Sequence, residues 1–433
     1  MFFRPKTLLD SLKPLIFLNC WTGLGTLDIC FKNRYLYNLA IIYVILVDVM
    51  NSTLAMIGVW FVSQRLYSDT TITSSSIGSI TYGVVIGTNS LHSFVAPLLV
   101  WLQGKALRNL CRRMSILDAK FQAALGVQIQ DEYRERVILL TFQVVAICII
   151  MSLAVAVNFW WTIPYTSGLS FFVTTPTLLQ PVGFILTLNL NLYTLLRYLE
   201  NKLKDLNNGV LNLAEETYIP PNPTREISWL EVPHDILQVR SCRKQDKIQA
   251  LRLIVEKNQA LREIRKLHLE ICKLSEEINS CFGAQNLLTV GTSFIIITGL
   301  LYTIYRGVTL NQQNHVEMSS IIPLVTWLLF YIFRIWAIPH YSWIVGNEAK
   351  KTQQVIYELL RSHSDEILQK EIQQFSVQML QNSISFNACG FFNLDYTFIQ
   401  GVIGTITTYL IILIQLNPVN QRISYSAINS TKF

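Results

Sequence analysis

Seven long stretches of apolar residues divide the chain, at about 36–63, 77–103, 137–163, 170–196, 282–304, 319–345 and 396–416. A helix rises 1.5 Å per residue, so about 20 residues cross a hydrocarbon core of roughly 30 Å. Each stretch is long enough to predict one transmembrane helix. The polar sequence between them has its own helical periods. Residues 217–243, with Pro220-Pro221-Asn222-Pro223, read as a linker. From Lys244 onward the pattern turns helical: Ile264, Leu267, Ile271, Leu274 and Ile278 recur at steps of three and four. This predicts a rod on the order of 90 Å running from Lys244 through the fifth stretch. The sixth stretch continues as helix-forming sequence through Leu360, and Glu366 to Gln381 predicts a further helix. Such extensions predict a helical bundle outside the bilayer, packed either within one chain or between chains. The broken patch from Leu15 to Leu27 is too short to span and is expected at the inner membrane surface.

Composition supports a polytopic membrane protein. The chain of 433 residues is 51% hydrophobic and 15% charged, with a mean hydropathy of +0.36. The net charge of +7 does not point to nucleic acid, because the basic residues cluster between spans. Segments 1–34, 104–136, 197–281 and 346–395 hold five, seven, fourteen and four Lys or Arg; the alternate side holds only Arg65, Arg306, Arg422 and Lys432. The positive-inside rule therefore predicts a cytoplasmic N-terminus and an extracellular C-terminus. No cysteine falls in an outside loop, as expected where an exposed pair would oxidise. Asn429-Ser430-Thr431 is an outside glycosylation sequon, whereas Asn51-Ser52-Thr53 lies within a span and reads as a chance match. No signal peptide is expected, since the first apolar segment is too long for one.

The last stretch is unusual. From Tyr396 to Leu416 it carries no formal charge, yet Thr405, Thr407, Thr408, Tyr409 and Gln415 sit among its aliphatic residues after Gly401 and Gly404. An unpaired amide in hydrocarbon costs several kcal/mol, so Gln415 predicts protein or water beside this helix. A helix lining an aqueous pathway meets that need. Thr408-Tyr409, five apolar residues, then Gln415 resembles the C-terminal signature of insect gustatory receptors, with Leu416 in place of the family's Phe. The preceding Cys389-Gly390-Phe391-Phe392-Asn393-Leu394-Asp395 resembles that family's lead-in, and Ile264-Arg265, His268, Cys272, Asn279, Phe282-Gly283 and Gln285 resemble its approach to the fifth span.

His268 and Cys272 share one helix face and could ligate a metal, but no second pair completes a zinc site; no cofactor is expected. Asp48 and Arg334 are ionisable residues inside spans, either paired, partly hydrated or in contact with a ligand. Asn158, Trp160, Trp161, Thr175, Gln180, Thr326 and Trp327 fall in the outer halves of spans three, four and six, with Thr174 beside them. Aromatic faces with a few hydrogen-bonding groups suit a small organic ligand, though an interfacial aromatic belt accounts for Trp160 and Trp161 as well. No phosphate loop, nucleophile elbow or zinc-protease helix is present, so no enzyme is expected.

The expected fold is thus an all-α membrane protein with seven transmembrane helices and a cytoplasmic helical anchor bundle. Its segments are a cytoplasmic N-terminus (1–34), spans one to four (35–196), a cytoplasmic loop and helical extension (197–281), spans five and six (282–345), a cytoplasmic helical segment (346–395), span seven (396–416) and an extracellular tail (417–433). The resemblance implies a ligand-gated cation channel for small-molecule tastants, a homo- or hetero-tetramer in the plasma membrane of sensory neurons. It further implies that span seven lines the pore, with Thr408, Tyr409, Gln415 and Leu416 at the pore and gate. A G-protein-coupled receptor would have an outside N-terminus, and a secondary transporter would show a repeated half; neither is visible.

Overall fold

The computed structural model describes residues 5–24, scattered positions between 39 and 57, and 76–162, 168–215, 236–314, 321–362 and 365–416. It is helical almost throughout. The helices are α1 (Leu8–Ser11), α2 (Lys13–Thr22), α3 (Ser76–Leu125), α4 (Ile129–Thr162), α5 (Gly168–Glu215), α6 (Ile236–Asn314), α7 (Ile321–Ser362), α8 (Glu366–Gln381) and α9 (Tyr396–Gln415). The described positions between 39 and 57, on the first expected span, are also helical. Among the described residues there is no strand, only an isolated bridge between Asn387 and Asn393. Among the described residues, five helices (α4, α5, α6, α7 and α9) are long and apolar enough to cross a membrane.

The expected rod exists and is longer than its sequence signal. Helix α6 runs 79 residues without a break, roughly 120 Å at 1.5 Å per residue. It begins at Ile236, inside the segment expected to be linker. Helix α7 continues to Ser362, and α8 spans Glu366–Gln381 as the sequence predicts.

The main core sits at the charged end of the bundle. Leu110, Met114, Leu117 and Phe121 of α3 meet Leu199, Leu203, Leu206 and Val210 of α5, each set at steps of three and four. The α6 stripe Ile264, Leu267, Ile271, Leu274 and Ile278 closes on them, joined by Ile372 and Phe375 of α8. Fully burying one such side chain contributes about 1.5–3 kcal/mol, so this end supplies the chain's cohesion. Helix α2 packs Leu15, Ile16 and Leu18 into the same core, leaving Phe17 and Trp21 exposed on its other side. Asn19 and Asn191 exchange two amide hydrogen bonds of 2.9 and 2.8 Å, which fix α2 against α5. Gly23, in the left-handed conformation at φ 84°, ends α2.

The apolar end is different. On α4, Phe142, Ile149 and Leu153 are exposed, and on α9 only Val402 and Ile406 are buried within the chain. Bare apolar helices of this length require lipid or further protein around them.

Candidate functional site

Helix α9 is seated by a hairpin loop that the sequence assembles from small and polar residues. Leu394 N–H donates to Phe386 O at 2.8 Å and Ala388 N–H to Phe392 O at 3.0 Å. Cys389 and Gly390 turn the chain at φ 51° and 78°, and Gly390 accepts that conformation without strain. Asn387 Oδ1 accepts the Gly390 N–H at 2.8 Å. Asp395 then caps α9, accepting the Phe398 N–H at 3.1 Å and the Thr397 hydroxyl. These bonds hold its carboxyl below the usual range, the Thr397 hydroxyl contributing most. Phe392 stacks on Phe398 with ring centroids 4.5 Å apart, and Tyr396 meets His340 of α7 through its hydroxyl at 2.7 Å.

The hairpin rests on α6. Asn387 N–H donates to Asn279 Oδ1 at 2.8 Å. Gly283 lets the loop approach so closely that a Cβ there would lie 3.2 Å from Cys389 N. Two turns before Asn279, Cys272 donates to Asn382 O at 3.4 Å, and four turns before it Arg265 O accepts from the Gln378 amide at 3.0 Å. Glu371 of α8, 4% exposed, lies 2.7 Å from Arg265 and 3.1 Å from Arg262. The two sequence blocks around Asn279 and Cys389 therefore form one joint. His268 belongs to it, edge-on to Phe375 at 5.4 Å and 3.6 Å from Cys272 Sγ. Burial pushes the His268 imidazole down to about 4. Among the described residues no group of three His, Cys, Asp or Glu could hold a metal ion. The joint also leaves an open cleft of about 270 Å³ beside α7, lined by Ser342, Trp343, Lys350, Asn393 and Asp395.

Above this seat, α9 has two unlike faces. Val402 and Ile406 are buried, packed with Ile296, Ile297 and Leu300 of α6 and Tyr331 and Ile335 of α7. Tyr409 lies on that same side, edge-on to Phe294 at 5.8 Å. At 100° per residue, Gly401, Gly404, Thr408, Ile411 and Gln415 fall on the opposite face, all exposed. The structure thus brings Thr408 and Gln415 to one face and Tyr409 to the other. Leu416 follows as the exposed C-cap. The threonines do not themselves demand water. Thr405, Thr407 and Thr408 donate to Gly401, Ile403 and Gly404 carbonyls at 2.8, 2.9 and 3.0 Å. Gln415 has no such route within its own turn.

Of the pocket candidates, Thr326 is exposed and bonded to Ile322 O at 3.0 Å, while Trp327 meets Phe330 edge-on at 6.1 Å. The side chains of Asn158, Trp160, Trp161, Thr175 and Gln180 lie outside the described set, as do Asp48 and Asn429. Arg334 is 1% exposed.

Sequence reasoning missed a buried ionic network between α3, α4 and α5. Lys202, wholly buried, contacts Glu132 at 2.9 Å and Asp118 at 3.3 Å. Tyr133 and Tyr198 donate to the two Asp118 oxygens at 2.7 and 3.0 Å. Its members come from three polar segments and share no sequence pattern that would mark them.

Comparison with known proteins follows the same lines. The family described as 7tm Chemosensory receptor matches residues 12–419. The gustatory receptor for bitter taste 66a of Drosophila melanogaster is 29% identical over 164 residues, 37% of this chain and 31% of that receptor. The Drosophila gustatory receptor for sugar taste 43a is 23% identical over 160 residues, 37% of this chain and 36% of that receptor. These matches span about a third of the relatives' length. Among solved structures, the insect olfactory receptor OR5 from Machilis hrabei aligns with a TM-score of 0.57 at 13% identity, covering 93% of this chain and 100% of that one. The same receptor in complex with eugenol aligns with a TM-score of 0.56 at 14% identity. That likeness is one of fold.

Proposed function

The chain belongs to the 7tm chemosensory receptor family, and from that premise we propose that it is a gustatory receptor acting as a ligand-gated, non-selective cation channel for small-molecule tastants. The relatives it matches are named as receptors for taste, not as enzymes. The observation that carries the channel reading is the division of α9 into a buried apolar face and an exposed face with Gly401, Gly404, Thr408 and Gln415. One helix cannot enclose a pore. Four copies of α9, from this chain alone or with related receptors, would present those residues to a common axis and bury the rest. Tyr409 then seats the helix against Phe294, and Gln415 with Leu416 stands near the constriction.

On this reading the chain crosses the membrane seven times, with the N-terminus inside and the C-terminus outside. The distribution of Lys and Arg supports that threading. The charged end of the bundle is then the cytoplasmic anchor that joins subunits, and the bare face of α4 meets plasma-membrane lipid in a sensory neuron. Asn429 would carry its glycan outside. Asn158, Trp160, Trp161, Thr175, Gln180, Thr326 and Trp327 would line a ligand site open to the outside. A tastant opens the channel only by binding the open state more tightly than the closed one.

The test is whole-cell current from cells expressing this chain, with G-protein signalling blocked, screened against sugars, bitter compounds and acids. Tastant-evoked cation current is the expected result. Responses that vanish with the G-protein block would favour a coupled receptor. Currents that require a coupling-ion gradient would favour a transporter.

A further inference from the structure

Arg334 is the fourteenth residue of α7, roughly 20 Å along that helix from its start. Among the described residues none of its Nε, Nη1 and Nη2 atoms has a hydrogen-bond partner. Its guanidinium carbon stands 6.0 Å from the Tyr331 ring. Tyr331 in turn donates to Asn89 Oδ1 of α3 at 2.9 Å. One turn beyond Asn89 is His92, 1% exposed, with both ring nitrogens unpartnered. In the proposed threading spans two and six run the same way, so steps of three residues carry His92 and Arg334 to one level.

Such an arrangement is costly as it stands. A guanidinium without an acceptor in the interior costs several kcal/mol, and a second unsatisfied polar ring beside it adds to that. Snorkelling does not relieve the cost, because the side chain is buried with its charged nitrogens unpaired. An acceptor has to come from outside the described residues. The planar fork of arginine matches a carboxylate through two parallel hydrogen bonds. His92 adds a further donor, and the Tyr331 ring offers an aromatic face to whatever carries the acid.

We infer that Arg334 and His92 recognise a small-molecule carboxylate, so that acidic compounds form this receptor's ligand class; this rests on the ligand-gated reading above. Both residues stand at mid-membrane, between α3 and α7; the sequence marks Arg334 as one that could contact a ligand and does not mark His92.

Thermal unfolding of the purified full-length receptor in detergent tests binding apart from gating. The probes are small aromatic and aliphatic carboxylates, each paired with its methyl ester. Stabilisation by a carboxylate at a concentration at least tenfold below that needed by its ester is expected. Arg334→Gln should abolish that preference, and Arg334→Lys should keep part of it. Equal stabilisation by acid and ester, unchanged in Arg334→Gln, would overturn the acid class while leaving a receptor for neutral tastants. No shift with any carboxylate would overturn it too. If Asp48→Asn and Arg334→Gln lower the unfolding temperature alike and carboxylates shift neither them nor wild type, Arg334 is a structural partner of Asp48. Whole-cell current with the same pairs then tells whether the bound acid opens the channel.

Discussion

The Oδ1 atom of Asn279 accepts the backbone N–H of Asn387 at 2.8 Å, across 108 residues of sequence. This single bond ties the longest helix to the hairpin from which α9 rises. Because both groups are partly buried, the bond holds the base of α9 at a set height on α6.

Asn279→Ala removes the acceptor and leaves the Asn387 N–H half-buried without a partner. Such a loss costs about 1–3 kcal/mol, and partial water access puts this one near the lower end. Asn279→Asp keeps an acceptor oxygen and should retain most of the stability. Thermal unfolding of the two purified variants separates these outcomes; equal loss in both would mean that the acceptor oxygen does not carry the stability and that the amide NH2 does.

Two opposed effects meet at Gly283. Replacing a helix-interior glycine by alanine gains about 1 kcal/mol of helix propensity. Against it, the new Cβ would lie 3.2 Å from Cys389 N and 3.4 Å from its Sγ, so hairpin backbone must yield by a few tenths of an ångström. Gly283→Ala should therefore come out near neutral. Gly283→Val loses the propensity gain and crowds the hairpin further, costing about 1–3 kcal/mol. A valine variant as stable as wild type in a thermal melt would show that the hairpin does not rest on α6.

Lys202 has no exposed surface and balances Glu132 and Asp118. Lys202→Met leaves Asp118, itself 1% exposed, without its cation, and breaking one side of a buried pair costs about 3–5 kcal/mol. Asp118→Asn added to Lys202→Met removes the stranded charge and should recover part of that loss. Yield of folded receptor by size exclusion, followed by unfolding temperature, checks both; a double variant no better than the single would place the loss in packing.

Much of this was legible in the chain because it depends on period. The α6 stripe Ile264 to Ile278 and the bounds of α8 follow from steps of three and four, and the blocks around Asn279 and Cys389 stand out as resemblances. What pairs them is not periodic. Nothing local says that Asn279 meets Asn387, that Asn19 meets Asn191, or that Lys202 gathers acids from two other helices, since each bond joins residues distant in sequence. The early start of α6 at Ile236 was hidden because Arg240, Arg243, Lys244 and Lys247 interrupt any apolar stripe in the sequence there. On α9 the sequence revealed polar residues but not their sides. Only the buried positions Val402 and Ile406 show that Tyr409, itself half exposed, lies on their side and Thr408 on the other.

His268 gives the joint a defined response to pH. Burial lowers its imidazole from 6.5 to about 4, so the unfolded chain binds the proton more readily than the folded one. The stability this contributes is fully present above about 6.5 and is lost as pH falls toward 4. Unfolding temperature should drop across that window in wild type, and the drop should be smaller in His268→Gln. An identical pH profile in the variant would assign the effect to another group.

Thr408, Tyr409 and Gln415 should respond to substitution according to the face each occupies. Tyr409→Ala removes an edge-on contact with Phe294, worth about 0.5–1.5 kcal/mol beyond its buried area. Its effect should appear as lower stability, with single-channel current little changed where channels assemble. Thr408→Ala deletes a hydroxyl already bonded to Gly404 O, so the helix loses little, and any change belongs to what passes the exposed face. Gln415→Ala deletes an exposed amide with no bond in its own turn. Stability should hold while conductance or basal leak shifts. Single-channel recording of all three decides the orientation: unchanged currents in both Thr408→Ala and Gln415→Ala, with altered current in Tyr409→Ala, would turn α9 around and put the pore on its other side.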